Sequence, residues 1–153
     1  MADKNEQIIK ELTRAYNMEL ETVMSYLAVS TNLDGVRAEE IKKSLAADIT
    51  AELGHAQLLA KRIKTLGGYV PGSQALKFEQ SFLQPKDDST DVVSVIKGVI
   101  EAENGACSQY DKIIALCNEF DYVTQDLCVT LLGDEQEHRR EFIGFLKEYE
   151  KAR

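Results

Sequence analysis

Four stretches of this chain, each roughly 27 to 30 residues, space their apolar residues three and four apart, and each carries a glutamate inside that apolar series. The first stretch covers about 4–32 and reads Ile9, Leu12, Tyr16, Glu19, Val23, Tyr26, Ser30. The second, about 38–66, reads Leu45, Asp48, Glu52, His55, Leu59. The third, about 90–117, reads Val92, Ile96, Val99, Glu103, Ala106, Tyr110, Ile113, Cys117. The fourth runs from the break at Asn118–Asp121 to about Lys151 and reads Thr124, Cys128, Leu131, Glu135, His138, Phe142, Phe145, Tyr149. A helix of that length is roughly 40 Å long at 1.5 Å per residue. One carboxylate facing a core could be satisfied by chance. Four, together with both histidines of the chain, would cost too much unless cations neutralised them.

Spacing sharpens this. Each histidine lies three residues after a glutamate, in Glu52-Leu-Gly-His55 and Glu135-Gln-Glu-His138, so each pair shares one helical face. Glu19 is followed seven residues later by Tyr26, and Glu103 seven residues later by Tyr110. The order is Glu-x6-Tyr, Glu-x-x-His, repeated once. The two halves of the chain therefore match, which predicts a pseudo-two-fold arrangement around a shared central site. Glu19, Glu52, His55, Glu103, Glu135 and His138 form a ligand set for two metal ions. The alternative is surface Glu–His pairs with no metal. Hard carboxylate oxygens with imidazole nitrogen suit iron or manganese, and zinc can also take them. Glu101 competes with Glu103, but the seam and the step to Tyr110 favour Glu103.

The connections fix the topology. Asn32–Gly35 and Asn118–Asp121 are short, and Gly67-Gly68 ends the second helix. Residues 69–90 are punctuated by Gly, Pro, Ser and Asp, and can cross the length of a bundle. The expected fold is all-α: an antiparallel four-helix bundle with one long crossover between the second and third helices, in a single domain over 1–153. A short helix around Gln74–Phe82 fits inside the crossover. Its apolar residues Tyr69, Val70, Leu76, Phe78, Phe82 and Leu83 should pack on the bundle or on a neighbour.

Composition excludes several classes. Hydrophobic residues make up 44% and charged residues 29%, as in a globular chain rather than a disordered one. No apolar run approaches a membrane span, and the polar N-terminus lacks a signal-peptide core, so a cytoplasmic location is expected. A net charge of −8 without a basic tail argues against nucleic-acid binding. The 3 cysteines, Cys107, Cys117 and Cys128, contain no Cys-x-x-Cys pair and read as buried thiols.

From Glu19 to His138 the constellation resembles the ferritin-like superfamily, in its bacterioferritin and rubrerythrin branch. That resemblance implies that Glu52 and Glu135 bridge two irons, that Glu19 and Glu103 are terminal ligands, and that His55 and His138 each hold one iron. Tyr26 and Tyr110 would donate hydrogen bonds to the carboxylates, or else be core aromatics at helical spacing. The stretch Leu131–His138, LLGDEQEH, is similar to bacterioferritins. Their haem-ligating Met directly after the first Glu of Glu-x-x-His is Leu53 here, so no haem is expected. The Asp that often precedes each bridging Glu is present as Asp134 but is Ala51 in the other half. Only 15 residues follow His138, too few for the fifth helix of 24-subunit ferritins. The chain looks most like Dps-like proteins that combine a bacterioferritin-style site with a mini-ferritin body. Some of these carry a cysteine pair beside the irons, for which Cys107 and Cys128 are the candidates.

The resemblance implies a ferroxidase: Fe(II) as substrate, O2 or H2O2 as oxidant, for iron storage and peroxide detoxification. It also implies a homo-oligomer, with twelve subunits favoured and a dimer as the alternative. A rubrerythrin-like peroxidase or oxidase with retained irons, or a non-enzymatic four-helix interaction domain, are the competing readings.

Overall fold

The structure is a computed structural model that describes residues 3–151. Its helices are α1 (Lys4–Asn32), α2 (Glu39–Thr65), α3 (Val92–Cys117) and α4 (Tyr122–Lys151), with 3-10 turns at Val36–Ala38 and Ser73–Ala75. There is no strand among the described residues. The expected four-helix bundle is therefore present, with helix bounds within about two residues of those read from the sequence.

Local chemistry sets the ends. Asp3 accepts from the Glu6 amide at 2.8 Å and caps α1. Asp91 does the same for Ser94 at 3.1 Å and starts α3. Asp121 accepts from the Thr124 amide at 3.0 Å and from its hydroxyl at 2.5 Å. Arg62, near the end of α2, donates to both Asp121 and Thr124 and so ties α2 to the start of α4. At the end of α2, Gly67 takes φ +87°, its amide donates to the Lys64 carbonyl, and the Gly68 amide donates to the Ile63 carbonyl.

Two apolar clusters fill the bundle. One contains Ile8, Leu12, Leu59, Ile63, Ile113, Cys117, Cys128 and Leu131; the other contains Val29, Ile41, Leu45, Val95, Ile96, Val99 and Phe142. The start of α1 thus lies with the ends of α2 and α3 and the start of α4. Helices α1 and α4 run one way and α2 and α3 the other. The polar series Glu19, Asp48–His55, Glu103 and Glu135–His138 falls between the clusters on every helix. In α1 the buried series runs Ile8, Leu12, Ala15, Glu19, Thr22, Tyr26, Val29, with Ile8, Ala15 and Thr22 each one position before the expected Ile9, Tyr16 and Val23. Packing against both α2 and α3 covers both flanks of this helix, so its seam is wider than a single stripe.

The crossover spans the bundle. Val70 packs on the first cluster, and Phe82 and Leu83 on the second. Tyr69 and Phe78 stay exposed, while Leu76 is half-buried. The helix expected at Gln74–Phe82 does not form beyond the 3-10 turn. Side chains of α1 take its backbone groups instead: Asn17 bonds both the amide and the carbonyl of Lys77, at 2.8 and 2.7 Å, and Glu21 accepts from the Gln80 amide at 2.5 Å.

Gly98 on α3 lies under this strap. A Cβ there would sit 2.7 Å from the Phe82 carbonyl oxygen and 2.9 Å from Leu83 Cδ1. Alanine would gain about 1 kcal/mol in helix propensity, but the clash is with backbone and costs about 1–3 kcal/mol. Gly98→Ala should therefore lower the thermal midpoint by a few degrees at about 2–4 °C per kcal/mol. A melt at or above wild type would show that the strap is loosely held. No helix among the described residues is long and apolar enough to cross a membrane.

Candidate metal centre

Six side chains meet in the polar layer. Glu19, Glu52, Glu103 and Glu135 are each at most 2% exposed. His55 Nδ1 lies 2.8 Å from Glu135 Oε1, 3.4 Å from Glu52 Oε2 and 3.6 Å from Glu19 Oε2. His138 Nδ1 lies 3.1 Å from Glu52 Oε1, 3.8 Å from Glu103 Oε1 and 3.9 Å from Glu135 Oε2. Ligand atoms within 4.8 Å of one another fall into two sets: Glu19, Glu52, His55, Glu135, and Glu52, Glu103, Glu135, His138. Glu52 and Glu135 belong to both. The imidazole rings stack across the pair with centroids 6.5 Å apart.

The tyrosines cross between the halves. Tyr26 of α1 donates to Glu103 Oε1 of α3 at 2.5 Å, and Tyr110 of α3 donates to Glu19 Oε1 of α1 at 2.7 Å. Each tyrosine thus serves the glutamate of the other Glu-x6-Tyr motif, which the linear spacing does not reveal. Glu101 is exposed while Glu103 is buried, so only Glu103 reaches the cluster.

This much buried charge is unstable alone. Burial, then repulsion from Glu135, pushes Glu103 up to about 10. Burial likewise raises Glu135 to about 8, and burial with the Glu19 charge raises Glu52 well above the usual carboxylate range. For Glu19 burial acts upward too, but its contacts with Glu52 and His55 outweigh it and lower the carboxyl. Burial would also favour neutral His55, yet contacts with Glu135, Glu19 and Glu52 overcome it and hold the ring protonated. Glu19 Oε2, Glu103 Oε2, Glu135 Oε1 and His55 Nδ1 are buried without a well-aligned hydrogen bond, although His55 Nδ1 and Glu135 Oε1 approach to 2.8 Å. Oxygen-rich and under-satisfied, with protons on its carboxyls that a cation would displace, the cluster fits divalent iron or manganese.

Two further acids face the outer edges of the imidazoles. Asp134 Oδ2 lies 3.0 Å from His55 Nε2, and Asp48 Oδ1 lies 3.5 Å from His138 Nε2. Asp48 stands in the sequence seam of α2 without an obvious partner. Its proximity to His138 is set by helix packing, and only its place in that seam signalled it. The three cysteines are free and buried. Cys117 and Cys128 pack in the same apolar cluster, and burial raises these thiols to about 11 and about 12.

Comparison with known proteins agrees with this architecture. The Ferritin family model, a ferritin-like domain, matches residues 9–152. The chain belongs to the ferritin-like family. It is 26% identical over 137 residues to a bacterioferritin of Desulfovibrio desulfuricans, covering 89% of this chain and 72% of that protein. It is 25% identical over 142 residues to a DNA protection during starvation protein of Pyrococcus furiosus, covering 90% and 75%. Among solved structures, the bacterioferritin-related protein of Bacteroides fragilis, described as a dodecameric thioferritin, superposes with a TM-score of 0.84 at 23% identity, covering 97% of this chain and 89% of that one. A ferritin-like di-iron-carboxylate protein of Bacillus anthracis gives 0.83 at 20% identity, covering 95% and 99%. At these identities the structures bear on the fold alone.

Proposed function

We propose that this ferritin-like chain is a ferroxidase that binds two Fe(II) ions within one subunit and oxidises them with O2 or H2O2, in a homo-oligomer that stores the product. The observation that carries the reading is the pair of four-residue ligand sets sharing Glu52 and Glu135. Glu19 and His55 would complete one position, and Glu103 and His138 the other. Manganese or zinc would fit the same ligands. Bound iron supplies the electrons that reduce the oxidant. The protein's part is to hold the two ions close together and to neutralise them. Six protein ligands for two ions leave coordination positions for the oxidant. Tyr26 and Tyr110 fix the orientation of Glu103 and Glu19 through their hydrogen bonds.

Family-level similarity to a bacterioferritin and to a DNA protection during starvation protein supports iron handling. The assembly proposed is a twelve-subunit shell, supported by likeness to the dodecameric Bacteroides fragilis protein. Nucleic-acid binding is not proposed, because the net charge of −8 gives little counterion release.

The test is anaerobic Fe(II) loading of purified protein, then O2 or H2O2, followed by absorbance, light scattering and native mass. Rapid oxidation with retained soluble mineral in a particle near twelve chains is expected. A dimer that oxidises iron without accumulating mineral would favour a rubrerythrin-like peroxidase with retained irons. Failure to take up iron would favour a non-enzymatic interaction domain.

The tyrosine exchange adds a prediction. Removing a hydrogen bond to a ligand typically costs 10–100-fold in metal affinity. Tyr26→Phe should weaken the ion at Glu103 and His138, and Tyr110→Phe the ion at Glu19 and His55. Calorimetry that finds the same ion weakened in both variants would contradict the crossed assignment.

A further inference from the structure

Both imidazoles present Nδ1 to the carboxylate cluster and Nε2 away from it. A ring that gives its Nδ1 lone pair to a cation must carry its proton on Nε2, and that proton needs an acceptor. For His55 the acceptor is Asp134, the residue before Glu135, at 3.0 Å. The matching position before Glu52 is Ala51, which has none. Yet His138 is not left without a carboxylate. Asp48, three residues before Ala51 and so one turn earlier on the same face of α2, brings Oδ1 to 3.5 Å from His138 Nε2. Asp48 is 7% exposed, and its other oxygen is buried without a partner, so it is not a solvated surface acid. Asp134, by contrast, has a side chain 52% exposed.

We propose that Asp48 is the positioning residue for His138, restoring from one turn away the function that Asp134 performs for His55. The pseudo-two-fold site is thus completed by residues at unequal sequence offsets. The two ion positions differ in consequence: one histidine is steered by an exposed carboxylate, the other by a buried one. Only the His138 position depends on Asp48. This inference rests on the two-ion reading of the cluster.

The experiment is anaerobic titration with Co(II), followed by cobalt absorption and by proton NMR of the paramagnetically shifted imidazole N–H resonances. The wild-type protein should bind two ions and show two such N–H signals. Asp48→Ala should weaken one ion about 10–100-fold and lose one N–H signal to solvent exchange, leaving the other within about threefold. Adding Ala51→Asp to that variant should restore the second ion and its signal, which a merely structural defect would not allow. Should Asp48→Ala fail to fold, Asp48→Asn keeps the volume and should show a smaller loss at the same ion. Two ions and two signals in Asp48→Ala would overturn the assignment, as would equal weakening of both ions without rescue by Ala51→Asp. Fewer than two ions in the wild type would instead overturn the two-ion reading itself.

Discussion

Glu52→Ala and Glu135→Ala should each reduce iron oxidation by more than about a hundredfold, because even partners one step removed from a metal cost 10–100-fold. Each of these glutamates belongs to both candidate ligand sets, so on the proposed two-ion reading either substitution would remove an oxygen from both ions at once. Substituting Glu19 or Glu103 should instead impair one position first. The physical reason is shared neutralisation. Two cations a few ångströms apart repel, and an anionic oxygen between them offsets that repulsion for both. The measurement is stopped-flow Fe(II) oxidation together with ion stoichiometry. Two ions per chain and rapid turnover in either bridging variant would remove Glu52 and Glu135 from the centre of the account.

Ion loading should also raise stability strongly. The layer between the two apolar clusters is a concentration of buried carboxylates, with unpartnered atoms on Glu19, Glu103 and Glu135. A ligand that binds only the folded chain contributes about 4 kcal/mol at a thousand times its dissociation constant. With about 2–4 °C per kcal/mol for a domain of this size, two ions should raise the melting midpoint by about 10 °C or more. Glu103→Gln should behave oppositely in the two states. It spares the metal-free fold the cost of keeping a buried carboxyl protonated at neutral pH and should raise the metal-free midpoint, while sharply reducing the gain on loading. Differential scanning calorimetry with and without Mn(II) reads both. A metal-free Glu103→Gln variant less stable than wild type would mean that Glu103 stabilises the fold itself.

The helices were legible because their signal is local. Apolar positions three and four apart, the break at Asn118–Asp121 and Gly67-Gly68 at a helix end all act within a few residues. The cluster was legible for a related reason: charge at Glu19, Glu52, Glu103 and Glu135 stands inside series that are otherwise apolar. What escaped the sequence depends on contacts between distant segments. The crossover reads as a short helix at 74–82 until Asn17 and Glu21, some sixty residues earlier, are seen holding its backbone. The Glu-x6-Tyr repeat does not say which glutamate each tyrosine serves, and antiparallel packing of α1 and α3 sends each to the glutamate of the other motif. Asp48 shows the same limit. Its helix face is periodic and readable, but its proximity to a ring on α4 is not.

The most direct test of the central claim is the number of ferrous ions bound per chain, by anaerobic titration with Mössbauer spectroscopy on the intact assembly. Two ions per chain in two similar, coupled oxygen- and nitrogen-rich environments are expected. One ion per chain, or binding that requires a ligand from a neighbouring chain, would contradict a complete two-ion centre within each subunit.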